Sequence, residues 1–334
     1  MLVTSHDVAR YAGVSQSTVS RALRGVAGVA PETVRRVQEA AAALSYVPNE
    51  AGRTLSTRLT RTVGVVAAEL TNPFYPELIE PIRLRLDEAG YRTLLVPDSV
   101  DAPIDAERLM DGTIDGVIVL NAPEDSTLPA ALDRRGIPYV LANRTVKGAA
   151  GDACVVDNEG GAGLVADLLV EEGHRSIGAV MGPSTTSTGR ERERGFMSAL
   201  ERHGLALDPS LVGRGAYSHE AGFDAGRAIL RSHRPTAIFC GNDLMAMGAF
   251  DAAVSLQLVP GHDLAIVGFD DIAMARWEVF GLTTVRIDLP AVATHAVELL
   301  LSRLADPSLP QRTVQVTPTL VLRRSHHVDR SLLG

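Results

Sequence analysis

Gln16, Ser17, Ser20 and Arg21 offer an amide, two hydroxyls and a guanidinium at spacings that set them along one face of a short helix. Such a face can exchange hydrogen bonds with base edges in the major groove of DNA, and an arginine there can read guanine or grip phosphate. A solvated face on an ordinary N-terminal helical pair explains the same pattern, because short helix-turn-helix signals are easily mimicked. A second set of polar groups stands just beyond strand-like runs: Asn72, Asn143, Arg192, Asn242 and Asp270, joined by the rings of Phe74 and Tyr217. Together they suit a small polyhydroxylated ligand, with rings covering apolar faces while amides, carboxylate and guanidinium pair with hydroxyls. Singly, Asn242 or Asp270 reads as well as a helix cap or turn former, and Phe74 as core. Their recurrence after successive strands gives the set its weight.

Catalytic readings are weaker. His6, His174, His203 and His219 do not make a metal-binding spacing, and no phosphate-cradling G-x-x-x-x-G-K run occurs. Asp270-Asp271 is a carboxylate pair, but a ligand-orienting residue beside a turn is the simpler reading. The expectation is a binding protein, not an enzyme, with no metal or resident cofactor. Cys154 and Cys240 lie in apolar runs and read as buried thiols.

The elements that must position these groups follow from periodicity. Thr4 can cap a first helix with Asp7 among its exposed N–H groups, and Val8, Ala9 and Ala12 form its apolar stripe. Gly13 allows a sharp turn, and Ser15 caps a second helix with Val19, Ala22 and Leu23 inward. Pro31 to Tyr46 gives a third, burying Val34, Val37, Ala41 and Leu44. Val47-Pro48-Asn49 ends it, and a two-turn helix over 49–56 carries Arg53 and Leu55; alone it is marginal, so it forms with DNA and a second subunit or serves as a flexible tether. From Thr62 strands alternate with helices twice over, first to about Asn143 and again from Asn158 to LAIVGF, which predicts two parallel-sheet lobes. In such lobes polar residues beyond the strand ends converge on a crevice.

With 334 residues and 46% hydrophobic composition, the chain can build two or three compact units. The formal charge is −8, yet residues 1–60 hold seven Arg against four acidic residues, so a basic head precedes an acidic body. That distribution fits a small DNA-binding module on a body that resists non-specific attachment. No signal-like or membrane-spanning run is present, and a cytoplasmic protein without membrane contact is expected.

The segments HDVARYAGVSQSTVSRALRG, ALSYVPNEAGRTL, TNPFY, IFCGNDLMAMGA and LAIVGFDDIAMA together resemble the LacI/GalR family of transcriptional regulators over nearly the whole chain. The resemblance implies an α/β protein: an all-α helix-turn-helix domain over 1–48, a hinge helix and linker over 49–60, and a two-lobed body like a periplasmic binding protein over 61–334. One lobe would comprise about 61–157 with 287–318, the other 158–286 with 319–324. It implies a regulator, repressor by expectation, whose affinity for a double-stranded operator responds to a small effector, and which works as a homodimer; the cleft residues suit a sugar or sugar derivative first and a nucleoside or purine second. A solute-binding protein without transcriptional activity and an effector-independent DNA-binding protein are the alternatives. Gln16, Ser17 and Arg21 match the base-reading positions, Leu55 the leucine that wedges into the minor groove, with Arg53 beside it. Thr4, Ser15, Thr18, Ser20 and Asn49 complete the expected DNA-facing set. Asn72, Phe74, Asn143, Arg192, Tyr217, Asn242 and Asp270 match positions that often contact effector. Departures are visible: Ala30 where family members often have Ser, Asn143 where many have Asp, a short segment between Pro97 and Ile114, and a tail after Arg324 without a heptad run.

Overall fold

The computed structural model describes residues 3–23, 25, 28–46, 59–98, 109 and 112–328. They fall into two compact units divided between Thr60 and Arg61. Asn49, Arg53, Leu55 and the hinge expected around them lie outside the described residues, as does most of the short segment before Ile114.

The N-terminal unit holds three helices, α1 (Ser5–Ala12), α2 (Gln16–Leu23) and α3 (Pro31–Ala43). Thr4 caps α1 reciprocally: its hydroxyl accepts from the Asp7 N–H while the Asp7 carboxylate accepts from the Thr4 N–H at 2.9 Å. Gly13, in the left-handed region at φ 65°, ends the helix where a Cβ would be strained. Ser15 Oγ accepts from the Thr18 N–H at 3.2 Å and starts α2. Ala30 precedes α3 with no side-chain cap bond, as the substitution for Ser implies. Val8, Ala9, Ala12, Val19, Ala22, Val37, Ala40 and Ala41 form one small core, with Val34 and Leu44 packed at its edge. Arg36 Nη2 donates to the last α1 carbonyl, Ala12, at 2.8 Å and ties the third helix to the first.

The body contains two parallel sheets. In the first, β1 (Thr62–Ala67), β2 (Arg92–Pro97), β3 (Gly116–Val119), β4 (Tyr139–Asn143), β5 (Asp152–Val156) and β11 (Thr313–Val316) lie in the order β2-β1-β3-β4-β5-β11. In the second, β6 (Ile177–Met181), β7 (Val212–Arg214), β8 (Ala237–Cys240) and β9 (Ala265–Val267) lie in the order β7-β6-β8-β9. Central strands are buried along their whole length and almost wholly apolar, as they must be when helices cover both faces. Helix α4 (Phe74–Glu88) shows the matching logic: Phe74, Leu78, Ile82 and Leu86 recur every four residues and all are buried. The other helices of the body are α5 (Leu128–Arg135), α6 (Asn158–Glu171), α7 (Ser187–Arg202), α8 (His219–Ser232), α9 (Asp243–Ser255) and α10 (Leu289–Ala305). Between the sheets a small antiparallel ladder joins β10 (Thr284–Arg286) to β12 (Thr319–Val321).

Two elements differ from the sequence expectation. Strand β5 is an addition; its first residue, Asp152, is fully buried, a position composition argues against. Arg303 and Arg312 satisfy it from distant parts of the chain, at 2.9 and 3.2 Å. Periodicity predicts the helix after β6 from Arg190 to His203; α7 instead begins at Ser187, because Thr186 accepts from the Gly189 N–H and caps a turn that reads as loop.

Strand order reverses at β1/β3 in one sheet and at β6/β8 in the other. Segments leaving the carboxyl ends of those strands therefore diverge to opposite sides and leave a crevice.

Candidate effector site and DNA-reading face

The crevice gathers every one of the seven cleft residues expected from sequence. Asn72, Phe74, Asn143, Arg192, Tyr217, Asn242 and Asp270 line one cavity together with Tyr75, Arg144 and Thr188, and all ten are buried. Asn72 and Phe74 follow β1, Asn143 ends β4, Thr188 and Arg192 stand on α7 after β6, Tyr217 follows β7, Asn242 follows β8, and Asp270 follows β9. The local roles and the site roles coexist. Asn242 caps α9 by accepting from the Met245 N–H at 3.0 Å, and Asn72 Oδ1 accepts from the Phe74 N–H at 3.1 Å. Tyr217 can lie across the end of β6 because residue 182 is glycine, where a Cβ would come within 2.4 Å of the ring.

Arg192 organises the polar floor. Its Nε donates to Asn158 Oδ1 at 2.9 Å, its Nη1 to the Gly241 carbonyl at 2.7 Å, and its Nη2 lies 3.0 Å from Asp270 Oδ1. The guanidinium carbon sits 3.8 Å from the centre of the Phe269 ring. The Asp270 contact is a close charge pair, yet it falls short of hydrogen-bond alignment and leaves Oδ1 without a hydrogen-bond partner. Burial pushes the Asp270 carboxyl up to about 6, against the downward pull of Arg192. Behind it Asp243 accepts from the Ile272 N–H at 2.9 Å and the Thr284 hydroxyl, fastening the 270–272 turn to the start of α9. Burial likewise pushes the Asp243 carboxyl well up, and the nearby Asp270 adds to that.

Asn143 and Asp270 hold positive backbone angles, φ 74° and 121°, which non-glycine residues adopt at a cost. Five buried side-chain atoms among the described residues lack any hydrogen-bond partner, and three of them belong to this lining: Asn143 Oδ1, Arg144 Nε and Asp270 Oδ1. Unsatisfied buried polar atoms are rare, and their gathering at one cavity marks a place built to receive hydrogen bonds. The cleft offers only ≈ 10 Å³ between the lobes, about one water molecule's worth. Contacts across the cleft hold them together: Thr145 N–H to Ser187 Oγ at 3.0 Å, Glu124 N–H to the Thr185 carbonyl at 3.1 Å, the ion pair of Glu124 with Arg190, and Ala273 N–H to Glu77 Oε1 at 3.0 Å.

Sequence reading places Tyr75 and Arg144 in the loops beyond the strand ends without assigning either a ligand contact, and it does not single out Thr188. The first two neighbour residues it does select, and Thr188 becomes visible only once Thr186 is recognised as a cap.

In the N-terminal unit Gln16, Ser17 and Arg21 are exposed on one side of α2, with Ser20 half-buried beside them. Gln16 Nε2 donates to Ser5 Oγ at 3.3 Å. Thr4 and Ser15 are engaged as caps, and the Ser15 hydroxyl also bonds to those of Ser17 and Thr18 at 2.9 and 2.8 Å. Thr4, Ser15 and Thr18 thus hold α2 and its approach in shape, while Gln16, Ser17 and Arg21 stand on its exposed side.

A two-lobed α/β body with a cleft at its strand ends, joined to a three-helix head with an exposed polar helix face, defines a ligand-responsive DNA-binding protein. The comparisons agree: residues 4–49 match the family model of bacterial regulatory proteins of the lacI family, and residues 166–326 match that of a periplasmic binding protein-like domain. The HTH-type transcriptional repressor PurR of Yersinia enterocolitica is 35% identical over 334 residues, covering 97% of each chain. The PurR of Photorhabdus laumondii is 34% identical, again over 97% of each. Among solved structures, the lac repressor dimer bound to operator and the anti-inducer ONPF is 26% identical with TM-score 0.88, covering 98% of this chain and 100% of that one. A complex of the transcriptional regulator CelR with cellobiose is 31% identical with TM-score 0.74, covering 97% and 99%. The chain belongs to the LacI family. It is an effector-modulated, DNA-binding transcriptional repressor, and its family is one of regulators. No helix among the described residues is long and apolar enough to cross a membrane.

Proposed function

We propose that the cleft binds a small carbohydrate-like effector through Asn72, Asn143, Arg192, Asn242 and Asp270, with Phe74 and Tyr217 against its apolar faces. The observation that carries this reading is the convergence on one cavity of Asn143 Oδ1, Arg144 Nε and Asp270 Oδ1, all buried and without a hydrogen-bond partner, Asp270 Oδ1 being met only by the Arg192 charge. Two acceptors and a donor lining one cavity match hydroxyl groups, which both donate and accept. Cellobiose in the CelR complex is a ligand of that kind. The PurR relatives favour a purine as the second reading.

In this account the protein acts in the cytoplasm as a homodimer, as the lac repressor does on its operator. Residues 1–48 read DNA, 49–60 form the hinge, and 61–334 bind effector and pair the subunits. Gln16, Ser17 and Arg21 enter the major groove, and Leu55 wedges the minor groove with Arg53 beside it and Asn49 among the DNA-facing residues. An effector larger than the ≈ 10 Å³ now enclosed separates Glu124 from Arg190 and Thr145 from Ser187, so it changes the lobe arrangement and with it the DNA heads.

A calorimetric screen of sugars and purines against the full-length protein tests the site, repeated with Arg192→Ala and Asp270→Ala. Binding lost in both variants supports the assignment. Unchanged affinity in both removes it, and tight purine binding with no sugar binding favours the second reading.

A further inference from the structure

Arg144 carries a buried charge that no ion pair among the described residues answers; the Asp270 carboxyl, already paired with Arg192, feels it only through space. It is 6% exposed, follows the strained Asn143 at the end of β4, and makes one hydrogen bond, from Nη1 to the Asn121 carbonyl at 3.1 Å. Its guanidinium carbon lies 5.6 Å from the centre of the Tyr217 ring, and its Nε has no partner. No carboxylate of the described residues forms an ion pair with it. The one acidic group in the lining, Asp270, is held by Arg192. Asp243 behind the wall is spent on Ile272 and Thr284. The cavity therefore holds two guanidinium groups against one carboxyl.

Burying a cation without a counter-ion is costly, and a neutral side chain at 144 would avoid that cost. Such a charge persists where a ligand completes it. Glu124 does not complete it, since it is engaged by Arg190. We propose that the natural effector is an anionic polyol, a hydroxylated carbon skeleton bearing a carboxylate or phosphate that docks on Arg144. Its hydroxyls donate to Asn143 Oδ1 and Asp270 Oδ1. This rests on the carbohydrate-like reading of the cleft and sharpens it. An Arg–oxyanion contact is charge-assisted and can be bidentate, whereas a neutral sugar gives Arg144 only hydroxyl acceptors.

The test titrates the full-length protein calorimetrically with matched hexoses of gluco, galacto and manno configuration, each as the neutral sugar, the uronate and the 6-phosphate. At least one charged form is expected to bind about tenfold or more tighter than its neutral counterpart. In Arg144→Gln that ratio falls to within about twofold, and comparing uronate with 6-phosphate shows which oxyanion the site takes. Neutral hexoses binding as tightly as their charged forms, or a charge preference that survives Arg144→Gln, overturns the proposal and leaves the cleft intact. No binding by any hexose form, or binding indifferent to Arg192→Ala, overturns the carbohydrate reading itself and this proposal with it.

Discussion

Replacing Arg192 with methionine keeps much of the side-chain volume and removes the charge that faces Asp270. The loss is concrete: a 3.0 Å ion pair, hydrogen bonds to Asn158 and Gly241 at 2.9 and 2.7 Å, and a cation–π contact at 3.8 Å. Breaking a buried pair by deleting one partner costs roughly 3–5 kcal/mol, chiefly because the other charge is stranded. The pH dependence has a definite sign. The Asp270 carboxyl is pushed up to about 6, above its value near 4 in an unfolded chain, so the native state holds the proton more tightly between those values. Its contribution to stability is fully present below about pH 4 and is lost as pH rises through about 6. Without Arg192 the opposing pull disappears and the carboxyl climbs further, so the variant's penalty is smaller at pH 5 than at pH 8. Urea titration followed by the fluorescence of the single tryptophan, Trp277, at the end of the turn after Asp270, measures this directly. Asp270→Asn in the same chain should restore at least half of the loss, since it removes the stranded charge. A penalty below about 1 kcal/mol at pH 8, or one that Asp270→Asn leaves unchanged, would refute the account of the pair.

Ala30→Ser should stabilise the N-terminal unit by about 0.5–1 kcal/mol, read as a higher urea midpoint, because it supplies the cap that α3 lacks. Arg21→Ala should weaken operator binding by roughly 5-fold to 150-fold in an anisotropy titration, the worth of a base contact. A loss equal on scrambled DNA would assign Arg21 to phosphate. Glu124→Gln should speed effector entry and exit in stopped-flow by no more than about fivefold, since the pair with Arg190 is partly exposed and screened.

What could be read from sequence follows the range of the forces involved. The caps of α1 and α2 join side chains to backbone three residues away, Asp7 to Thr4 and Thr18 to Ser15, so spacing alone reveals them. Buried parallel strands such as β1 and β3 are continuous apolar runs and stand out equally well. Strand β5 does not, because its buried first residue, Asp152, is answered by Arg303 and Arg312 far along the chain. The seven cleft residues are legible because they sit at or beyond the carboxyl ends of strands, Arg192 being carried there on helix α7. Arg144 is the opposite case: its importance lies in the partner it lacks, which only the packed cleft discloses.

The most direct test of an effector-driven repressor is operator affinity measured by anisotropy with and without the ligand found by calorimetry, for the wild type and Asp270→Asn. The account predicts that saturating ligand shifts wild-type operator affinity by about tenfold or more, a coupling of about 1.4 kcal/mol, and shifts the variant far less at the same ligand concentration. Tight ligand binding that leaves wild-type operator affinity unchanged would contradict it.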